Sequence, residues 1–411
     1  MSKTKSFIIS KQAVWDSYLK VKSNRGVAGI DHCSIEEFES DLKNNLYKIW
    51  NRMSSGSYFP PPVMRVEIPK GDGKMRALGI PTVSDRIAQM VVKKHIEPEL
   101  EAVFHPDSYG YRPKRSAKQA VSLARKRCWQ HDWVIDMDIK GFFDNIPHDL
   151  MMKAVKKHTK EQWVLLYVER WLKAPVQLMN GEIEERTMGT PQGGVISPLL
   201  ANLFLHYAFD HWMQSNYPSN PFERYADDAV VHCNSEVQAR ELKSEIAKRM
   251  EQCGLELHPD KTKVVYCQDD NRSEKHKLHN FDFLGFCFRP RLSRNKHGRY
   301  FVNFSPAIAP KSKKAIFSEI RQWCLHQRSD LSVKELANKM NPVVRGWIEY
   351  YGAFFQSELI FLVHHLDKLI HRWVIKKYKK HGSNFKKAEK WVKRIKHNAP
   401  NYFVHWNLLR A

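Results

Sequence analysis

Two adjacent acids stand between short strand-like runs: Phe222-Glu223-Arg224, then Tyr225-Ala226-Asp227-Asp228, then the apolar Ala229-Val230-Val231. An Asp pair between two such runs reads as a turn, with the flanking runs as paired strands. The pattern predicts a β-hairpin over 222–233 with the carboxylates at its tip. A second acidic strand lies upstream. Residues 133–139 alternate, with Trp133, Ile135, Met137 and Ile139 on one face and Val134, Asp136 and Asp138 on the other.

A strand ending in Asp138 beside a tip bearing Asp227 and Asp228 would converge three carboxylates. Hard divalent cations take such oxygen ligands. Transfer of a nucleotide from its triphosphate uses two of them, one on the attacking hydroxyl and one on the leaving pyrophosphate. An Asp pair in a turn is common turn chemistry by itself, so the weight rests on its surroundings.

Those surroundings divide the chain in two. Strand and helix signals mix as far as Pro306: two strands about an Asp-Gly turn in 60–81, a helix over 85–102, and a helix with Ser197 as N-cap and Pro198 at its first position. Beyond 306–310 only helices are expected. One carries Ile316, Ile320 and Trp323; a second opens on the capping box Ser332/Glu335 and breaks at Asn341-Pro342; a third carries Leu362, Leu366, Leu369 and Trp373.

Lys and Arg number 67 against 44 Asp and Glu, a net charge of +23, which points to a polyanionic partner. Residues 311–411 hold 21 of those cations and only 7 acids. Between Arg372 and Lys396, eleven cations interleave with Trp373, Tyr378, Phe385 and Trp391, a pattern suited to phosphates and stacked bases. The seven cysteines form no Cys-x-x-Cys pair, and no apolar stretch is long enough to span a bilayer. With no secretory leader at Met1-Ser2-Lys3, the expectation is a cytoplasmic, bacterial protein with reduced thiols and no membrane partner.

Seven blocks in fixed order closely resemble the reverse transcriptases encoded by group II introns. They are Ile68-Pro69-Lys70 with Arg76-Ala77-Leu78-Gly79-Ile80-Pro81; Asp85-Arg86 with Gln89; Ser108-Tyr109-Gly110-Tyr111-Arg112-Pro113; Asp138-Ile139-Lys140-Gly141-Phe142-Phe143-Asp144; the stretch from Gly189 to Pro198; Tyr225-Ala226-Asp227-Asp228; and Gly254 to Leu257 with Lys261-Thr262-Lys263 and Phe283-Leu284-Gly285-Phe286. The resemblance implies an α+β right-hand polymerase, with fingers and an antiparallel palm sheet followed by an all-α thumb or maturase domain. Its implied boundaries are an N-terminal extension and fingers at 1–112, a palm at 113–306 with a returning fingers segment near 160–188, a thumb at 307–378 and a basic segment at 379–411.

The same resemblance implies the site. Asp138, Asp227, Asp228 and the Ile139 carbonyl would hold two Mg2+ ions, with Mn2+ able to substitute; Asp136 stays an unassigned neighbour. Lys70 and Arg76 match triphosphate-binding positions, Phe143 a wall against the 2′-hydroxyl, and Gln192 a contact to the incoming nucleotide. Lys261 or Lys263 would donate a proton to pyrophosphate. Arg112, Arg345, Lys376, Lys377, Lys379, Lys380, Lys386 and Lys387 are the expected nucleic-acid contacts. The implied partners are an RNA template, a DNA or RNA primer, deoxynucleotides, group II intron RNA and target DNA.

Ala77, Ala28 and His32 depart from the family pattern, the last two in a template-contacting loop. With neither Cys-x-x-Cys pairs nor a His-Asn-His signature, an endonuclease-lacking type is expected. An RNA-dependent RNA polymerase is disfavoured by Tyr225 and by the bulky Phe143. A splicing maturase, or a domesticated enzyme of DNA repair or phage defence, would share this sequence pattern.

Overall fold

The acids at 227–228 do sit on a hairpin in the computed structural model, which describes residues 6–69, 75–378 and 384–409. In chain order come α1 (Lys11–Ser23), α2 (Ile35–Ser40), α3 (Leu42–Ser55), β1 (Val63–Pro69), β2 (Met75–Ile80), α4 (Val83–Val103) and α5 (Ala117–Cys128). Then follow β3 (Trp133–Asp138), α6 (Phe142–Asn145), α7 (His148–His158), α8 (Gln162–Leu172), β4 (Val176–Gln177), β5 (Ile183–Glu184) and α9 (Ser197–Leu205). A π-helical turn, His206–Asp210, leads into α10 (His211–Asn216), β6 (Phe222–Tyr225), β7 (Asp228–Cys233) and α11 (Glu236–Gln252). The remainder is β8 (Lys263–Tyr266), β9 (Phe281–Phe283), β10 (Phe286–Arg294), β11 (Tyr300–Ile308), α12 (Pro310–Gln322), α13 (Val333–Tyr351), α14 (Ile360–Lys377) and α15 (Phe385–Asn398).

Two units result, residues 1–120 with 137–264 and residues 121–136 with 265–411; the division falls within α5, β3 and β8. In the first unit β1 and β2 pair antiparallel from Met64 opposite Ile80 to Pro69 opposite Met75, and β4 joins the other edge of β1 in parallel. A second sheet runs β6-β7-β3-β8, with β6 and β7 antiparallel and Tyr225 opposite Asp228 at the turn. The helix α9 beneath is buried nearly throughout. Its start differs from expectation: Ser197 is inside the helix, and its hydroxyl meets the Thr190 hydroxyl at 2.9 Å instead of capping.

In the second unit β10 and β11 form a long antiparallel hairpin, with β9 on the outer edge of β10. Its helices enclose a core of Ile316, Leu336, Met340, Leu366, Trp373 and Trp406, all nearly inaccessible. The Ser332/Glu335 capping box is present. The expected break at Pro342 is not, because α13 continues through it to Tyr351. Pro342 and Asn338, whose carbonyl loses its helical partner, both face outward, while Leu336, Met340 and Val344 pack inward and hold the helix together. Helix α15 is a fourth helix not anticipated. Asn384 caps it by accepting from the Lys387 amide at 3.1 Å, and Ala388 and Val392 are its buried residues.

Candidate active site

The end of β3 is fixed by a return segment. Lys140 donates its amide to the Glu256 carbonyl at 2.9 Å, His258 donates to the Asp138 carbonyl at 2.8 Å, and Ile139 bridges Leu257. This holds Asp138 against Lys261, whose ammonium lies 2.5 Å from the carboxylate. Asp227 is close enough to feel Asp138. Burial pushes the Asp227 carboxyl above its ordinary range and the Asp138 charge adds to that, while Arg76 and Lys261 pull the other way. Asp138, Asp227, Arg76 and Lys261 thus share one field.

Asp228 occupies the first position of β7, opposite Tyr225. Among the described residues no three His, Cys, Asp or Glu side chains are gathered so as to hold a metal ion. The donor chemistry nevertheless suits a hard cation, since two carboxylates already repel and an ammonium stands at one of them, where positive charge is called for. Lys263, the other candidate proton donor, is exposed at the start of β8. Lys70, Lys379 and Lys380 lie outside the described residues.

The hairpin tip is held from behind by a residue that the sequence did not single out. Arg224 is completely buried and spends all its N–H groups. Its Nε and Nη2 each lie 2.6 Å from the Asp210 carboxylate; Nη1 donates to Asn202 Oδ1 at 3.1 Å and to the Ala226 carbonyl at 3.0 Å; Nη2 also donates to Ser108 Oγ at 2.8 Å. The π-helical turn delivers Asp210 to this position. A charged residue on a buried strand was the one signal available, because buried charge has to be paired.

Ser108-Tyr109-Gly110 closes over the same turn. Tyr109 donates its amide to the Arg224 carbonyl at 2.8 Å, and Asn202 Nδ2 donates to the Gly110 carbonyl at 2.6 Å. A Cβ on Gly110 would collide with the Ala226 nitrogen and stand 3.0 Å from the Tyr225 carbonyl carbon, both backbone atoms. Ala226 is itself in the left-handed region at φ 58°. Gly110→Ala should therefore displace the aspartates and lower polymerisation about a hundredfold, the order expected for a 1 Å misplacement. Steady-state extension rates that match wild type would contradict this.

The loop from Gly189 to Ile196 is positioned by backbone contacts. Gly79 donates its amide to the Gln192 carbonyl at 2.7 Å, and a Cβ at Gly193 would stand 2.5 Å from the Gly79 carbonyl oxygen. Thr190 donates to the Phe143 carbonyl at 2.7 Å, and a Cβ at Gly189 would meet the Asp144 carbonyl oxygen at 2.6 Å. Behind the loop, Gln89 Oε1 accepts from the Val195 and Ile196 amides at 2.7 and 3.2 Å while Nε2 donates to Asp85 at 2.9 Å. Asp85, fully buried with its carboxyl pushed up by burial, also accepts from Tyr58 and Trp171. Gln192 lines a cavity of about 420 Å³ with Ala77, Gly79, Asp144 and Gly189. Phe142 is core, whereas Phe143 is half-buried.

Two expected nucleic-acid contacts are engaged within the protein. Arg112 is buried, paired with Glu101 and donating to the His105 and Ser108 carbonyls at 2.7 and 2.8 Å, so its charge serves the Ser108 turn. Lys377 donates to the Ser329 and Leu331 carbonyls at 2.8 and 2.7 Å. Arg345, Lys376, Lys386 and Lys387 are exposed.

Residues 68–288 match the family model described as reverse transcriptase (RNA-dependent DNA polymerase), and residues 313–393 match the group II intron, maturase-specific domain. The chain belongs to the group II intron reverse transcriptases. Protein YkfC of Escherichia coli K12 is 31% identical over 328 residues, 71% of this chain and 82% of that protein. Group II intron-encoded protein LtrA of Lactococcus lactis subsp. cremoris is 34% identical over 203 residues, 49% of this chain and 33% of LtrA. An uncharacterized 91 kDa protein in the cob intron of Schizosaccharomyces pombe is 26% identical over 424 residues, 85% of this chain and 50% of that protein. This reverse transcriptase is thus an RNA-directed DNA polymerase with the α+β right-hand fold and a helical maturase domain, of a family that uses divalent metal ions and binds template, primer and intron RNA. None of its described helices is long and apolar enough to cross a membrane.

Proposed function

We propose that Asp138 and Asp227, joined by Asp228 and the Ile139 carbonyl, hold two Mg2+ ions, replaceable by Mn2+, while a primer 3′-hydroxyl attacks a deoxynucleoside triphosphate on an RNA template. The carrying observation is the shared field of Asp138, Asp227, Arg76 and Lys261. When bound, divalent ions make the hydroxyl a better nucleophile and offset the charge leaving with pyrophosphate. Arg76 supplies fixed positive charge to the triphosphate, with Lys70, which lies outside the described residues, as its expected companion. Lys261, already beside the Asp138 carboxylate, is the reading favoured over Lys263 for the proton to pyrophosphate. Gln192 and the glycines around it bring the loop backbone against the incoming base pair.

Phe143, half-buried at the start of α6, walls the sugar pocket. Phe143→Ala should raise ribonucleotide use relative to deoxynucleotide use at least tenfold, read as the ratio of kcat/KM values on one template–primer; an unchanged ratio would refute the role. We read residues 1–112 as N-terminal extension and fingers, 113–306 as palm with a fingers return near 160–188, 307–378 as thumb, and 379–411 as a basic segment. On that reading Arg345, Lys376, Lys386 and Lys387 contact duplex or intron RNA, and target DNA follows in retromobility. A bacterial cytoplasm is the setting we infer, from the relatives in Escherichia coli and Lactococcus.

A further inference from the structure

A second concave site lies in the first unit, bounded by α7, α9 with the π-helical turn, α10 and α11. It is a cavity of about 560 Å³, within the range that takes one small organic molecule and too small for a folded partner. Its inner wall is apolar and aromatic, with Phe204, Tyr207 and Trp212. Three cations stand around it, Lys153 and Lys157 from α7 and Arg249 from α11, and none of the residues lining it is Asp or Glu.

The walls are fixed by bonds that leave the ring faces in place. Tyr207 is held through its hydroxyl by His158 Nε2 at 2.6 Å, and the Lys157 ammonium lies 4.5 Å from the centre of its ring. Arg249 donates from Nε to the Ala208 carbonyl and from Nη2 to the Tyr207 carbonyl, each at 3.1 Å, so its guanidinium is anchored at the rim. Trp212 packs on Tyr217 with ring centres 5.1 Å apart. Rigid aromatic surface beside three clustered cations, with no acid among the lining residues, suits a planar ring that carries an anionic group.

We propose that this cavity binds a mononucleotide-sized ligand, a planar ring set against Tyr207 and Trp212 with its phosphate on Lys153, Lys157 and Arg249, apart from the polymerase site. No block of the reverse transcriptase resemblance includes its lining residues.

The probe is adenosine 5′-monophosphate, measured by equilibrium dialysis against the full chain in magnesium. A dideoxy-terminated template–primer and its next deoxynucleotide are present in excess, so that nucleotide binding at the polymerase site is already satisfied. One saturable site per chain is expected, with adenosine lacking the phosphate bound at least tenfold more weakly. The double variant Lys153→Glu/Lys157→Glu should weaken the monophosphate at least tenfold while its primer extension stays at the wild-type rate. Ser215→Trp, an exposed rim position that fills the cavity without altering charge, should do the same and decides the matter if the double variant does not fold. No saturable binding by wild type, or affinity unchanged in the folded variants, overturns the proposal.

Discussion

Arg224→Met should cost about 3–5 kcal/mol of unfolding free energy, read by chemical denaturation, because it leaves the Asp210 carboxylate buried without its partner. Both side chains are completely inaccessible, so water cannot take over either role. The same change removes donors from Asn202, Ser108 and the Ala226 carbonyl. Combining it with Asp210→Leu separates these effects. Stability should recover in part, since an apolar pair replaces an ion pair of similar volume. Activity should not recover, since the Ala226 carbonyl still lacks the N–H that fixes the turn before Asp227. A double variant that regained both would show that Arg224 serves folding alone.

Asp227→Asn should abolish polymerisation by about a thousandfold or more, equivalent to roughly 4 kcal/mol of transition-state stabilisation. It should do so without loss of fold. Asp227 is raised by burial and then by Asp138, so its folded pKa lies above the unfolded value. A group of that kind contributes stability that is fully present below the unfolded pKa and is lost as pH rises through the folded one. At neutral pH wild type therefore bears a cost that the neutral amide does not. The variant should be at least as stable as wild type at pH 7, and its advantage should shrink as pH falls through the carboxylate range. A variant that is inactive only because it is unfolded would show a lowered melting temperature at neutral pH and would contradict this account.

The two predictions mark where sequence reading succeeded and where it stopped. The hairpin at 222–233 and the strand ending at Asp138 were legible because apolar alternation and an acidic turn leave few other structures. The ordered blocks then joined them into one site. Arg224 was passed over as an ordinary strand residue, since nothing local says that Asp210, fourteen residues earlier, is delivered to it by a π-helical turn. Arg112 differs in the opposite sense. The resemblance set it against nucleic acid, but within the fold its guanidinium is held by Glu101 and by the His105 and Ser108 carbonyls. Pro342 was read by local propensity, which core packing on the far face of α13 overrides. In each case the missing information was tertiary: which polar group is buried, and what stands opposite it.

The central claim is that the field of Asp138, Asp227, Arg76 and Lys261 copies RNA into DNA. Its most direct test is extension of an oligo(dT) primer on poly(rA) with dTTP and magnesium, with Asp227→Asn as the control. The account predicts a lengthening DNA ladder from wild type that disappears with chelator and is absent from the folded variant. Wild type that makes no product, or a variant that makes as much, would contradict it.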